Sequence, residues 1–105
     1  MTKAMGLLGL AKRAGRVVSG ESACKEAIRF GKSYLILLAG DVSVNTSKSI
    51  TDSCKFYDVP YVVTGTKESL GAAIGNEFNA VVSVNDEGFA NGILKHINAN
   101  IKEGE

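Results

Sequence analysis

The run Tyr34-Leu35-Ile36-Leu37-Leu38-Ala39-Gly40-Asp41 limits what this chain can fold into more than any other stretch. It has no polar face, so it suits neither an amphipathic helix nor a half-exposed strand. Ended by Gly-Asp, it reads as a central strand buried on both faces. Such a strand needs a covering layer on each side, and the flanking sequence supplies the helices. Leu7, Leu8, Ala11 and Ala14 recur at helical spacing in a first helix that ends near Gly15. Arg16-Val17-Val18 is a short strand. Ser19 is the expected N-cap of a second helix, with Glu21 in its first turn favouring the dipole. Ala23, Cys24, Ala27 and Phe30 form that helix's buried side; Lys25, Glu26 and Arg29 face out, and Gly31 stops it. Asn45-Thr46 opens a third helix with Ile50, Cys54 and Tyr57 on one face. Pro60 bars further helix, and Tyr61-Val62-Val63-Thr64 is a strand near an edge. A short helix capped by Thr66 ends at Gly75, and Ala80-Val81-Val82-Ser83-Val84 is the fourth strand. In the last helix Phe89, Ile93 and Ile97 step by four. The polar tail, 100–105, is expected to fray.

Regular alternation of helix and strand predicts a single α/β domain over residues 1–105, a three-layer α/β/α sandwich around a small, mostly parallel sheet. A chain of 105 residues can bury a sufficient core without disulfides or metal. Cys24 and Cys54 form no CxxC pair, which excludes a zinc ribbon or a thioredoxin-like motif, and both sit at core-facing positions. No apolar run reaches the roughly 20 residues of a membrane span. The first 15 residues read as an amphipathic helix rather than a signal peptide, because Lys12-Arg13 occupies the place of a cleavage site. The expected location is the cytoplasm.

Catalytic machinery is missing. There is no G-x-x-x-x-G-K-[ST] loop and no G-x-S-x-G elbow, and Gly6-Leu7-Leu8-Gly9 lacks both the spacing and the preceding strand of a dinucleotide loop. His96 is the only histidine and has a surface position. Asp41, at the end of the buried strand, is the best-placed carboxylate, but it has no base, nucleophile or metal partner, and an aspartate there commonly caps a turn. The expectation is a non-enzyme with no cofactor, no metal and no catalytic residue. Charge is the informative feature. Residues 1–40 carry seven basic against two acidic side chains, +5, whereas residues 41–105 carry five against nine, −4. A basic half in a chain of net charge +1 suits a polyanion.

Four stretches, Gly6-Leu7-Leu8 through Glu21, Leu35 through Ile50, Tyr57-Asp58-Val59-Pro60-Tyr61 and Ser69 through Gly75, occur in an order and spacing that resemble the kink-turn RNA-binding ribosomal protein family of the L-seven-Ae type. Within it the chain resembles the small bacterial YlxQ-like branch, over essentially its whole length. The resemblance implies a four-stranded mixed sheet with one antiparallel strand. It also implies non-enzymatic binding of a kink-turn, a sharply bent duplex with tandem sheared G·A pairs, in a ribosomal or regulatory RNA, by a chain that is monomeric when free. The family grips RNA with the N-terminus of the second helix and the loop between the last strand and last helix. Carried onto this chain, the first region is Ser19, Gly20, Glu21 and Ser22, and the second is Val84, Asn85 and Asp86, with Val84 pressed against an extruded base. Lys12, Arg16 and Lys25 would neutralise the flanking phosphates. The family's Gly-x-Asn-Glu-x-x-Lys falls on Gly20, Ser22, Ala23 and Glu26. Only the glycine matches, and Glu26 inverts the expected charge. That departure motivates an alternative: a protein-interaction module on the same scaffold with weakened or lost RNA binding.

Overall fold

The structure is a computed structural model that describes residues 3–104, with side chains through residue 97. Nine elements follow one another: α1 (Lys3–Arg13), β1 (Val17–Ser19), α2 (Glu21–Arg29), β2 (Leu35–Leu38), α3 (Val44–Tyr57), β3 (Tyr61–Val63), α4 (Lys67–Ala73), β4 (Val81–Val84) and α5 (Glu87–Gly104). The strands form one sheet in the order β1-β4-β2-β3. β2 and β3 pair in parallel, and β4 runs antiparallel to both β1 and β2. Three strands therefore point one way and β4 alone points the other, so the mixed sheet implied by the resemblance holds and the mostly parallel ladder does not. The segment after α4 accounts for the reversal. It folds back alongside the helix, Asn79 N–H donating to Lys67 O at the helix start (2.9 Å), so the chain re-enters the sheet from the edge it left, where Ala39 N–H donates to Ala80 O (2.9 Å).

Side chains alternate across the sheet. Leu35, Leu37, Val82 and Val84 face α1, α4 and α5, packing with Leu8, Leu70 and Ile93. Ile36, Leu38 and Val81 face α2 and α3, packing with Cys24, Ile28, Ile50 and Cys54. The central strand read from the sequence is fully buried along its length. Both cysteines are free and buried. Burial, reinforced by nearby Cys54, pushes the Cys24 thiol up to about 12, and burial alone pushes Cys54 up to about 11. Both thiols stay protonated and inert at neutral pH.

Three local expectations need correction. Gly20 rather than Ser19 precedes the first turn of α2; Ser19 remains in β1, paired with Val82. Phe30 does not join the buried side of α2: it is the C-cap, where the chain turns away, and the buried stripe is Cys24, Ala27 and Ile28. α3 begins at Val44 and is capped by Ser43, whose Oγ accepts from Thr46 N–H (3.2 Å), so Asn45-Thr46 lies inside the first turn. α5 continues to Gly104, and Glu105 lies outside the described residues.

Candidate nucleic-acid interface

Because β1, β2 and β3 share one direction, the three helices that follow them all begin at the same edge of the sheet, here called the upper edge. In open α/β sheets this strand-end edge is where ligands gather. Helix N-termini carry unpaired N–H groups and partial positive charge, so what caps each one decides what it can hold. α3 is closed by Ser43. α4 is closed by a reciprocal box: Thr66 Oγ1 accepts from Ser69 N–H (3.1 Å) and Ser69 Oγ accepts from Thr66 N–H (2.8 Å). Asp41, the strand-end carboxylate, accepts from Lys67 N–H (2.8 Å), so it serves this same helix start. α2 differs. Its N-cap is Gly20, at φ 94° and ψ 152°, and no side chain caps its first turn.

The side chains around this open helix start are held in place. Thr46 Oγ1 donates to Glu21 Oε1 (3.0 Å), and Lys25 Nζ donates to Ser49 Oγ (2.8 Å), so both α2 residues are tied to α3. Ser22, Lys25, Glu26 and Arg29 line a shallow hollow facing Ser53 and Tyr57 of α3. Glu26 and Arg29 do not pair; the Arg29 guanidinium lies over the Phe30 ring, 4.9 Å from its centroid. Lys48 is bridged to Asp52 (3.2 Å). On its other side the helix start adjoins the segment 75–80: Gly20 N–H donates to Val81 O (3.1 Å). That segment is braced by Asn76 Nδ2 donating to Asn79 Oδ1 (2.8 Å) and by Asn79 N–H donating to Lys67 O (2.9 Å). It leaves Phe78 59% exposed.

The sequence-predicted site residues split into two groups. Ser19, Gly20, Glu21, Ser22 and Lys25 lie at the upper edge. Arg16, Val84, Asn85 and Asp86 lie at the other end of the β1–β4 pair, where Val17 is opposite Val84 and Asn85 N–H donates to Arg16 O (2.7 Å); Lys12 is in the last turn of α1, which leads into this end. From Arg16 to Gly20 is about 13 Å of extended strand. The loop after β4 is therefore not beside the start of α2; the loop before β4 is. Val84 is 0% exposed and packed in the core, so its side chain has no surface to offer an extruded base. Asp86 has a structural task, since its Oδ2 accepts from Phe89 N–H (2.9 Å) as the cap of α5. Asp86→Ala should lower stability by about 1 kcal/mol, read as a fall of roughly 4–8 °C in a thermal melt. An unchanged melt would remove this capping role.

Residues 75–80 escape a reading based on periodicity because they follow none. The signal they do carry is compositional: Gly-Asn-Glu-Phe-Asn-Ala is loop chemistry with one aromatic that no helix or strand face claims.

A model of the "Ribosomal protein L7Ae/L30e/S12e/Gadd45 family" matches residues 2–94. The chain belongs to this family. It is 48% identical over 88 residues to a Bacillus subtilis protein named "RNA-binding protein YlxQ", covering 84% of this chain and 88% of that protein. A protein of the same name from Enterococcus faecium is 36% identical over 88 residues, covering 84% of both. Among solved structures, a Bacillus halodurans protein of unknown function superposes with a TM-score of 0.90 at 35% identity, over 93% of this chain and 99% of that one. The 15.5kD RNA binding protein of Giardia lamblia superposes with a TM-score of 0.74 at 20% identity, over 90% of this chain and 82% of that one, a likeness of fold. Among the described residues no helix is long and apolar enough to cross a membrane, and no cluster of three His, Cys, Asp or Glu could hold a metal ion.

Proposed function

We propose that this protein binds a kink-turn or similarly bent RNA without catalysis, through the upper edge of its sheet. The observation that carries the reading is the open start of α2: Gly20 in a glycine-only conformation and no side-chain cap on the first-turn N–H donors at the positive end of the helix. Bent RNA exposes base edges and phosphates that such donors can hold. Two flanking features support it. Ser22 and Lys25 supply a hydroxyl and a cation on the first turns of α2, and Phe78 offers an exposed ring for an unstacked base on the adjoining loop. Phe78 takes the role first given to Val84. Membership in a family whose bacterial relatives are named RNA-binding proteins points the same way.

The test is an electrophoretic shift with a short kink-turn RNA and with a control whose tandem G·A pairs are replaced by Watson–Crick pairs. The kink-turn should shift at least tenfold more tightly than the control. Phe78→Ala should weaken it by about 5- to 100-fold, the span of one base–aromatic stack. If neither the kink-turn nor total ribosomal RNA binds at low salt, the reading fails. The protein-interaction alternative would then lead, favoured by Phe56, which projects from α3 81% exposed. That reading requires a partner that co-purifies and survives nuclease treatment.

A further inference from the structure

The lower edge of the sheet holds Arg16 and Asn85, two of the RNA contacts expected from the sequence, away from the open start of α2. α1 and α2 both end there in the same way. Each reaches a glycine in the left-handed region, Gly15 at φ 75° and Gly31 at φ 73°, and each glycine is followed at once by a cation, Arg16 and Lys32. The two turns face one hollow of about 530 Å³, within the size range of small-ligand sites, lined by Gly15, Arg16, Gly31, Lys32, Tyr34 and Asn85. A second hollow shares Lys32 and Asn85 and reaches Phe30. Tyr34 is 45% exposed and Phe30 is 62% exposed, the latter with Arg29 against its ring.

Asn85 is the fixed point. Its N–H donates to Arg16 O, and its Oδ1 accepts from the Ser83 hydroxyl (2.6 Å). Ser83 is fully buried and lies 2.8 Å from the hydroxyl of Ser33, also buried. Asn85 lines both hollows. Their walls offer two cations, a guanidinium and an ammonium, with an amide and a phenol that can each donate and accept, beside an exposed ring. Among the described residues no carboxylate lines the first hollow; Glu26 lies in the adjoining one. Cations suit a phosphate, a ring suits the face of a base, and an amide suits a base edge.

We infer that this lower hollow is a second RNA contact, holding a nucleotide of unpaired RNA that runs down edge strand β1 from the RNA at the upper edge. The inference rests on the RNA-binding reading but uses different residues. An acidic peptide satisfies Arg16 and Lys32 but leaves the Tyr34 and Phe30 rings without a planar partner, so single-stranded RNA is the better match.

Fluorescence anisotropy tests this with three RNAs: a blunt kink-turn, the same kink-turn with a single-stranded extension of about six uridines, and the free uridine oligomer. The extension should tighten binding by about tenfold. Tyr34→Ala, and separately Lys32→Glu, should remove that gain while changing blunt kink-turn binding by less than about twofold. Both side chains are exposed, so the variants should melt like the parent. An extension that adds no affinity overturns the inference, as do variants that weaken both kink-turns equally. If the free oligomer binds in a Tyr34-dependent way and the kink-turn does not, the lower contact stands and the upper-edge reading falls. If a poly-glutamate peptide competes for the hollow more strongly than the oligomer, the ligand is protein and the inference is wrong.

Discussion

Gly20→Val is expected to cost more than any other single substitution at the proposed RNA edge. At φ 94° and ψ 152°, Gly20 occupies a region that is open essentially to glycine alone, and a β-branched side chain is especially poor at positive φ. An added Cβ would meet nothing within 4 Å, so the penalty is conformational and not a clash. It should amount to about 1–3 kcal/mol, a fall of roughly 5–20 °C in melting temperature for a domain of this size. Relief of the strain requires rotation of the peptide that donates to Val81 O, which displaces the first turn of α2 with Ser22 and Lys25 on it. Affinity for a kink-turn RNA, measured where the variant is still fully folded, should therefore fall at least tenfold. A variant that melts early yet binds like the parent would confine Gly20 to a structural role and leave the open helix start without a function.

The same glycine marks how far the sequence could be read. Hydrophobic pattern sufficed for β2, whose all-apolar run has only one stable place, and for Ile93 and Ile97 of α5; on α1 it found Leu8 and Ala11 but missed Ala4 and Met5 and took in Ala14, which lies exposed beyond the helix end. It also placed β3 at an edge, because Pro60 removes a donor. It could not orient β4. The strand's direction depends on the segment after α4 folding back to the start of that helix, where Asn79 N–H meets Lys67 O, a tertiary contact of a loop with no periodic pattern. The caps at Ser43 and Gly20 were each misplaced by one or two residues, since several cap-competent side chains compete locally and packing selects among them. The site was harder still. Val84 looks like a residue at the mouth of a loop, yet strand alternation turns it into the core. Arg16 and Lys25 are nine positions apart in sequence and sit at opposite ends of β1. The uneven charge of the two halves of the chain was visible from composition; its division between two edges was not.

Salt should expose that division. If Arg16 and Lys32 at the lower edge each neutralise one phosphate of the single-stranded extension, and Lys25 and Arg29 on α2 one phosphate each of the duplex, log K should fall with log salt at a slope near −3.2, about 0.7 per single-strand contact and about 0.9 per duplex contact. Raising monovalent salt from about 50 to about 200 mM would then weaken binding roughly 80-fold. Each cation removed should flatten the slope by about 1, so Lys25→Gln should lose one unit on any bound RNA. Loss of Arg16 and Lys32 should flatten it only for RNA long enough to reach the lower edge. Glu26 gives the opposite test. It is exposed on α2 where the family pattern carries a lysine, and its carboxylate repels the phosphates its neighbours attract. Glu26→Lys should steepen the slope by about 1 and strengthen binding at low salt severalfold. This charge was the strongest argument in the sequence against RNA binding, and the substitution turns it into a measurement. A slope near zero in the parent protein, unmoved by Lys25→Gln or Glu26→Lys, would mean that phosphate is not what the basic half of the chain holds, and a protein partner would become the better account of the same surface.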